Sequence, residues 1–391
     1  MKLLRMKFQE RVRLIDNNTR LHLIFTIAII GALASLIMTV DAWSSLRNYA
    51  LSPIISFTTS ATTHNVLYAT LVCGLAASLF TKKYRRHLVS AALIALLLLV
   101  AQDITRLQPW IIHYTAILLL FSFAIPKKYA QGVYMLDAAR LVVGGMYFWA
   151  GVQKFNIRFF TEVFPWFTES LWRPFGETGA TIAIIIGLCI PVIEAGFALG
   201  FFTRRFRHLS LLGATSMIIV VLTCLGPLGH SWNSSVWPWN FGIYGMAVAL
   251  FLGLQTSLPE FIKRQRHNAL AWIAFAFFWI MPIGNYFGVT DHYLSWSLYS
   301  GHVPEATLIG NQATLFTLSE KAAAGHLKFA HWSQTELNMV PYPEIRVFED
   351  VFQGLCADKQ YQNIHMEIMV PRLFASQKHE TLQYRCDAVG R

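Results

Sequence analysis

Apolar residues in this chain fall in runs of a length that crosses a bilayer as helix, which takes about 20 residues. Nine such segments are predicted, at 22–42, 64–81, 86–102, 109–126, 133–155, 179–203, 207–228, 236–255 and 269–289. Basic clusters sit between them. They are the N-terminal group (Lys2, Arg5, Lys7, Arg11, Arg13, Arg20), Lys82-Lys83-Tyr84-Arg85-Arg86, Lys127-Lys128, Arg204-Arg205-Phe206-Arg207 and Lys263-Arg264-Gln265-Arg266. With nine spans all five fall on one side, and the positive-inside rule makes that side the cytoplasm. The N-terminus is then cytoplasmic in a multi-pass protein of the cell (inner) membrane. The apolar run after the basic N-terminus is too long for a cleavable signal peptide.

Beyond position 290 the pattern turns polar, with β-like alternation at Ile364–Val370 and Thr381–Cys386. The expected fold is an all-α polytopic membrane bundle of about nine helices over 1–289. A small C-terminal extracytoplasmic α+β domain covers 290–391. That outer region holds Cys356 and Cys386, while Cys73, Cys189 and Cys224 lie in spans. Two cysteines in an oxidising compartment suggest a disulfide, with two free thiols as the alternative.

Composition agrees with the pattern. Of 391 residues, 55% are hydrophobic and 14% charged, against about a quarter charged in a soluble globule. The formal charge of +11 does not point to nucleic acid, because the basic residues are dispersed between apolar runs rather than gathered on one domain. There is no internal repeat, glycine-rich phosphate loop, nucleophile elbow or CxxC pair. The histidines are scattered, so no metal site is indicated.

Candidate chemistry centres on Lys154, at the end of the fifth segment. A lysine there either snorkels to the headgroups or, withdrawn from water, becomes a base. From Asp137 the segment rises seventeen residues to Lys154, about 25 Å at the helical rise, which puts the amine near the outer face. His113 near the start of the fourth segment, and His230, Asn233 and Asn240 after the seventh, are expected at the same level. Trp166, Trp172, Trp232, Trp237 and Trp239 fit an interfacial belt. Residues 159–175 read as an amphipathic helix that lies on the outer surface or roofs a pocket. Asp137 and Arg140 are one turn apart and placed to pair. Glu194, beside Pro191, is expected to serve as a structural partner for another helix.

The stretch YFWAGVQKFN, from Tyr147 to Asn156, resembles the lysine signature of vitamin K-dependent γ-glutamyl carboxylases and the wider HTTM membrane family. HYTAILLLFSF before it, and IEAGFALGFF and HSWNSS after it, are similar to further blocks of that family in order and spacing. The resemblance covers roughly residues 100–255 and implies extracytoplasmic chemistry on a reduced quinone of the vitamin K or menaquinone type. Lys154 is then the base. His113 and His230 hold the quinone and its charge, and Asn233, with Trp149 and Tyr147 of the lysine span, completes the quinone-binding set. The family often carries two lysines where this chain has Gln153-Lys154. About 100 residues follow the last span, too few for the large lumenal domain of the carboxylases. Quinol oxidation or epoxidation is therefore the expectation, rather than protein carboxylation.

Two other readings start from the same residues. A non-catalytic maturation or assembly partner would hold an exported peptide or protein, with the aromatic strip Tyr293–Ala306 as the docking segment. Packing of the outer domain on the bundle is the favoured reading of that strip. A respiratory quinone oxidoreductase subunit, by analogy to DoxX-type proteins, finds no haem or metal ligand pattern.

Overall fold

Where they are described, all nine apolar segments are helical in the computed structural model, which describes residues 15–55, 60–123, 129–372 and 379–386. Lys2, Arg5, Lys7, Arg11, Arg13 and the pair Lys127-Lys128 lie outside the described residues. The helices are α1 (Asn17–Met38), α2 (Ala61–Phe80), α3 (Arg85–Gln102), α4 (Pro109–Phe123), α5 (Tyr129–Val152), α6 (Gly176–Gly200), α7 (Arg207–Leu225) and α8 (Val236–Phe251). A short amphipathic α9 (Leu258–Gln265) follows. It leads into α10 (Ala269–Phe275), which continues through a π turn and a 3-10 turn to Phe287. Among the described residues six helical stretches are long and apolar enough to cross a membrane: Asn17–Met38, Ala61–Phe80, Arg85–Gln102, Glu169–Gly200, Arg207–Leu225 and Ala269–Phe287.

The helix starts follow from local chemistry. Asp16, Ser60 and Asn268 accept from the backbone N–H three residues on, capping α1, α2 and α10. Ser257 and Glu260 form a reciprocal capping box on α9.

Basic residues gather at one end of the bundle. Arg20 donates to the carbonyls of Ala249 and Leu252, Arg140 to Leu250, and Arg207 to Thr256. Arg20 and Arg140 satisfy carbonyls that the end of α8 leaves without helical partners, and Arg207 bonds the loop that follows. Asp137 pairs with Arg140 at 2.6 Å, as its spacing suggested, and also accepts from Arg264 at 3.0 Å and Gln265 at 3.1 Å.

At the opposite end sits the C-terminal region. Strands β1 (Glu305–Ile309), β2 (His326–Lys328), β3 (His365–Pro371) and β4 (His379–Arg385) form an antiparallel sheet in the order β2-β1-β3-β4. Between them run α11 (Gln312–Leu318), α12 (Phe329–Leu337) and α13 (Ile345–Cys356). Alternation puts Ala306, Leu308, Met366 and Ile368 inside. Leu308 faces Leu327 on one side and Met366 on the other. β3 and β4 occupy the two stretches whose alternation predicted them, and Cys356–Cys386 is a disulfide joining the end of α13 to the sheet edge.

The sheet region is fastened to the bundle by specific bonds. Asn338 Nδ2 donates to the Met38 carbonyl at 2.7 Å, Gln108 Nε2 to Val340 at 3.1 Å, and Ser52 Oγ to Asp350 at 2.6 Å. The strip Tyr293–Ala306 is part of this seam. Tyr293, Ser295, Trp296, Ser297 and Ser300 are buried, and Tyr293 Oη donates to the Pro341 carbonyl at 2.9 Å. Of the two readings of the strip the structure has the packed one; an aromatic segment low in charge reads alike whether it waits for a partner or is already packed.

The seam also carries a pH-sensitive group. His302 stacks on Tyr286 and lies edge-on to His292, each at 5.8 Å between ring centres, and is 8% exposed. Burial, with His292 adding to it, lowers its pKa from 6.5 to about 4. Between those values the unfolded chain takes up a proton that the folded chain refuses, so stability falls as pH drops through that window. The loss should approach an order of 3 kcal/mol by pH 4. Melting of the purified protein between pH 7 and pH 4 measures it, and His302→Phe should flatten the dependence.

Candidate functional site

Gly151 sets the site. A Cβ there would lie 2.7 Å from the Ala195 amide nitrogen and 2.9 Å from the Pro191 carbonyl, so only glycine lets α5 cross α6 this closely. The crossing places Lys154, just past the end of α5, against Glu194 of α6. Lys154 Nζ donates to Glu194 Oε2 as an ion pair. The two side chains are 14% and 10% exposed. The Phe159 ring lies 5.8 Å from the ammonium, within reach of a cation–π contact.

The pair faces a cavity of about 750 Å³. Its walls come from α5 (Met146, Tyr147, Ala150), α6, α7 and α8 (Trp239, Asn240, Ile243). Lys154 and Glu194 are the charged residues in its lining; the rest is almost wholly aliphatic and aromatic. Helices α6 and α7 pack tightly where Gly213 meets the Phe197 ring and Gly200 meets Ser210. Further along they enclose the cavity between them. Ile182, Ile186 and Ile193 of α6 and Val220 of α7 line it while remaining 37–51% exposed. The cavity thus opens sideways through an apolar rim.

Residues 159–175 form its roof. They are a chain of short turns, from the π turn Phe159–Val163 to the 3-10 turn Arg173–Phe175, with Phe164, Phe167, Leu171 and Trp172 turned into the cavity. Of the two placements the amphipathic pattern allowed, the structure has the roof. Arg158 fixes its start by bonding Glu162 at 3.1 Å and Glu305 of β1 at 2.8 Å.

The remaining wall is made by two loops in unusual backbone. Trp296 and Tyr299 line the cavity at φ of 65° and 56°, and Ser231 and Asn233 lie behind at 47° and 48°. Such conformations cost roughly 1–3 kcal/mol each and persist only where surroundings hold them. Here Asn233 Nδ2 donates to Tyr299 Oη at 2.9 Å, and Gln334 accepts from the Asn233 amide at 3.1 Å.

The predicted residues therefore separate. Lys154 and Tyr147 line the cavity, as does Asn240. His113 is fully buried behind it, its Nδ1 accepting from Trp239 Nε1 at 3.4 Å. Asn233 stands behind Tyr299. Trp149 points the other way, donating to the Trp279 carbonyl at 3.1 Å. His230 stacks on Trp166 at 4.6 Å, with Nε2 2.7 Å from the Trp166 carbonyl. His113, His230, Asn233 and Trp149 are not in the cavity lining.

The expectation of one common level is also corrected. Gly213 packs on Phe197, less than one turn from Glu194, whereas the His230 amide bonds the Cys224 carbonyl. Cys224 is eleven residues further along α7, or about 16 Å. Along α6, Glu194 is about 27 Å from Gly176 and about 9 Å from Gly200. The ion pair is thus the floor of the cavity, and the His230 loop belongs to its upper wall. Glu194 is a structural partner for another helix, as its position suggested, but the partner is Lys154. Spacing within the chain could not reveal this. Trp296 and Tyr299 were legible only as members of the aromatic strip, since neither residue type announces a left-handed backbone.

Comparison of the chain with family models, with curated proteins and with solved structures finds no match.

Proposed function

We propose that this chain is a multi-pass membrane protein of about nine spans that acts on an isoprenoid quinol at the Lys154–Glu194 pair, in the manner of HTTM and vitamin K-dependent carboxylase-like proteins. Its basic end is cytoplasmic and its sheet region extracytoplasmic, by the positive-inside argument. The observation that carries this reading is an apolar cavity, open sideways, with one ion pair at its floor. A cavity of about 300–1,000 Å³ lined by apolar groups with few polar ones is the usual form of a small-molecule site. The reduced quinone is the substrate, and its ring and first isoprene units suit the walls. Lys154 stands beside the hydroxyl whose proton is drawn away at the pair. With molecular oxygen as co-reactant, one quinol and one O₂ become one epoxide and one water, which needs no protein substrate.

The test is turnover of reduced menaquinone or vitamin K by the purified protein, with quinone and epoxide read by mass spectrometry. Wild type should produce epoxide. Lys154→Ala should lose on the order of 10²–10³-fold, the usual worth of a donor aimed at developing negative charge. Equal turnover by both proteins would refute the assignment.

A further inference from the structure

The ion pair says what kind of head group the cavity takes. Lys154 and Glu194 together carry no net charge, and no other charged residue lines the cavity among the described residues. A ligand that brings a charge would leave that charge uncompensated in an apolar enclosure, which is costly. A neutral head group with a hydroxyl meets no such penalty. It can donate to the carboxylate and accept from the ammonium.

The same balance decides where a proton goes. If a neutral Lys154 took it while Glu194 stayed ionised, the floor would hold two anionic oxygens against one ammonium. If Glu194 takes it, one anion faces one cation throughout. We propose that Glu194 is the proton acceptor of this site, that Lys154 remains an ammonium holding the oxygen that has lost its proton, and that the pair restricts the cavity to long apolar molecules with an uncharged, hydroxyl-bearing head group.

The step is balanced. The O–H bond of the head group breaks, and its proton forms a new O–H bond on a Glu194 carboxylate oxygen. The electron pair stays on the head-group oxygen beside Lys154 Nζ, which keeps its three protons. The sum of charges over ligand and pair is zero before and after. No oxidant is needed for this step. The inference rests on the quinol reading for its chemistry, but its charge selectivity is measurable without turnover.

The experiment compares binding of two probes to detergent-purified protein, by displacement of a fluorescent lipid probe. One is a neutral isoprenoid quinol kept reduced; the other is oleate, of similar apolar bulk but anionic. Wild type should prefer the quinol. Glu194→Gln keeps the shape and leaves the lysine uncompensated, so it should bind oleate at least tenfold tighter than wild type does. Lys154→Gln should reject oleate further. A double variant, Lys154→Gln with Glu194→Gln, should return to a preference for the neutral probe, and its melting temperature controls for folding. Unchanged oleate affinity in Glu194→Gln, or a wild-type preference for oleate, would overturn the inference. If wild type excludes oleate and Glu194→Gln admits it, but quinol turnover is absent, the quinol reading fails while the charge selection stands. Infrared difference spectra on quinol binding give an independent readout. A protonated-carboxyl band should appear in wild type and vanish in Glu194→Gln, and its absence from wild type would return the proton to Lys154.

Discussion

Lys154→Met alone should destabilise the protein strongly, and adding Glu194→Leu should restore most of the loss. Removing one partner leaves a carboxylate facing an apolar cavity with no counter-charge. Breaking a buried pair in this way costs about 3–5 kcal/mol, and the slight exposure of both side chains puts this case toward the lower value. Replacing both partners with apolar side chains removes the desolvation cost along with the attraction, which is often neutral or stabilising. Denaturant unfolding of the single and double variants, in one detergent, gives the coupling directly. The double variant should be folded and unable to turn over quinol, which separates the structural from the chemical role of the pair. A single variant as stable as wild type would mean that the carboxylate finds water or another donor.

Asp103→Asn should cost about as much, where the bundle meets the sheet region. Asp103 is wholly buried and holds Arg47 at 2.5 Å and Arg106 at 3.7 Å. It also accepts from the Ser52 amide at 3.2 Å and from Thr105 Oγ1 at 2.6 Å. The isosteric amide keeps the shape but leaves two buried guanidiniums without a counter-charge, a change worth about 3–5 kcal/mol. The damage should spread. Ser52 Oγ donates to Asp350 of α13, and Gly354 packs so near Ala50 that a Cβ there would lie 2.3 Å from the alanine methyl. Loosening residues 47–52 therefore frees α13 and the sheet from the bundle. Limited proteolysis should cut Asp103→Asn between bundle and sheet region under conditions where wild type is intact. Equal resistance would show that the remaining bonds hold the seam alone.

Much of the fold was legible because the bilayer leaves little choice. A backbone in hydrocarbon must satisfy its own hydrogen bonds, so long apolar runs become helices. Alternation likewise gave β3 and β4, and the two cysteines of the outer region gave the disulfide. The site was only half legible. Lys154 stood out as a charge in an apolar run, but its partner is forty residues away, brought there by a crossing that depends on Gly151. Depth counted along helices treated each as upright and so put Lys154 level with His230. The packing of α5, α6 and α7 on one another sets the true heights. The aromatic strip after α10 was ambiguous for a different reason: burial by the same chain and burial by a partner select the same residues.

The cavity opens between α6 and α7 through isoleucine and valine, not toward water. A ligand arriving that way is diluted by lipid and never by buffer. Its effective concentration is a mole fraction in a two-dimensional sheet, so half-saturation should track moles of quinol per mole of phospholipid. Well below half-saturation, doubling the vesicles at fixed quinol should then halve occupancy, even though nothing in the aqueous phase has changed.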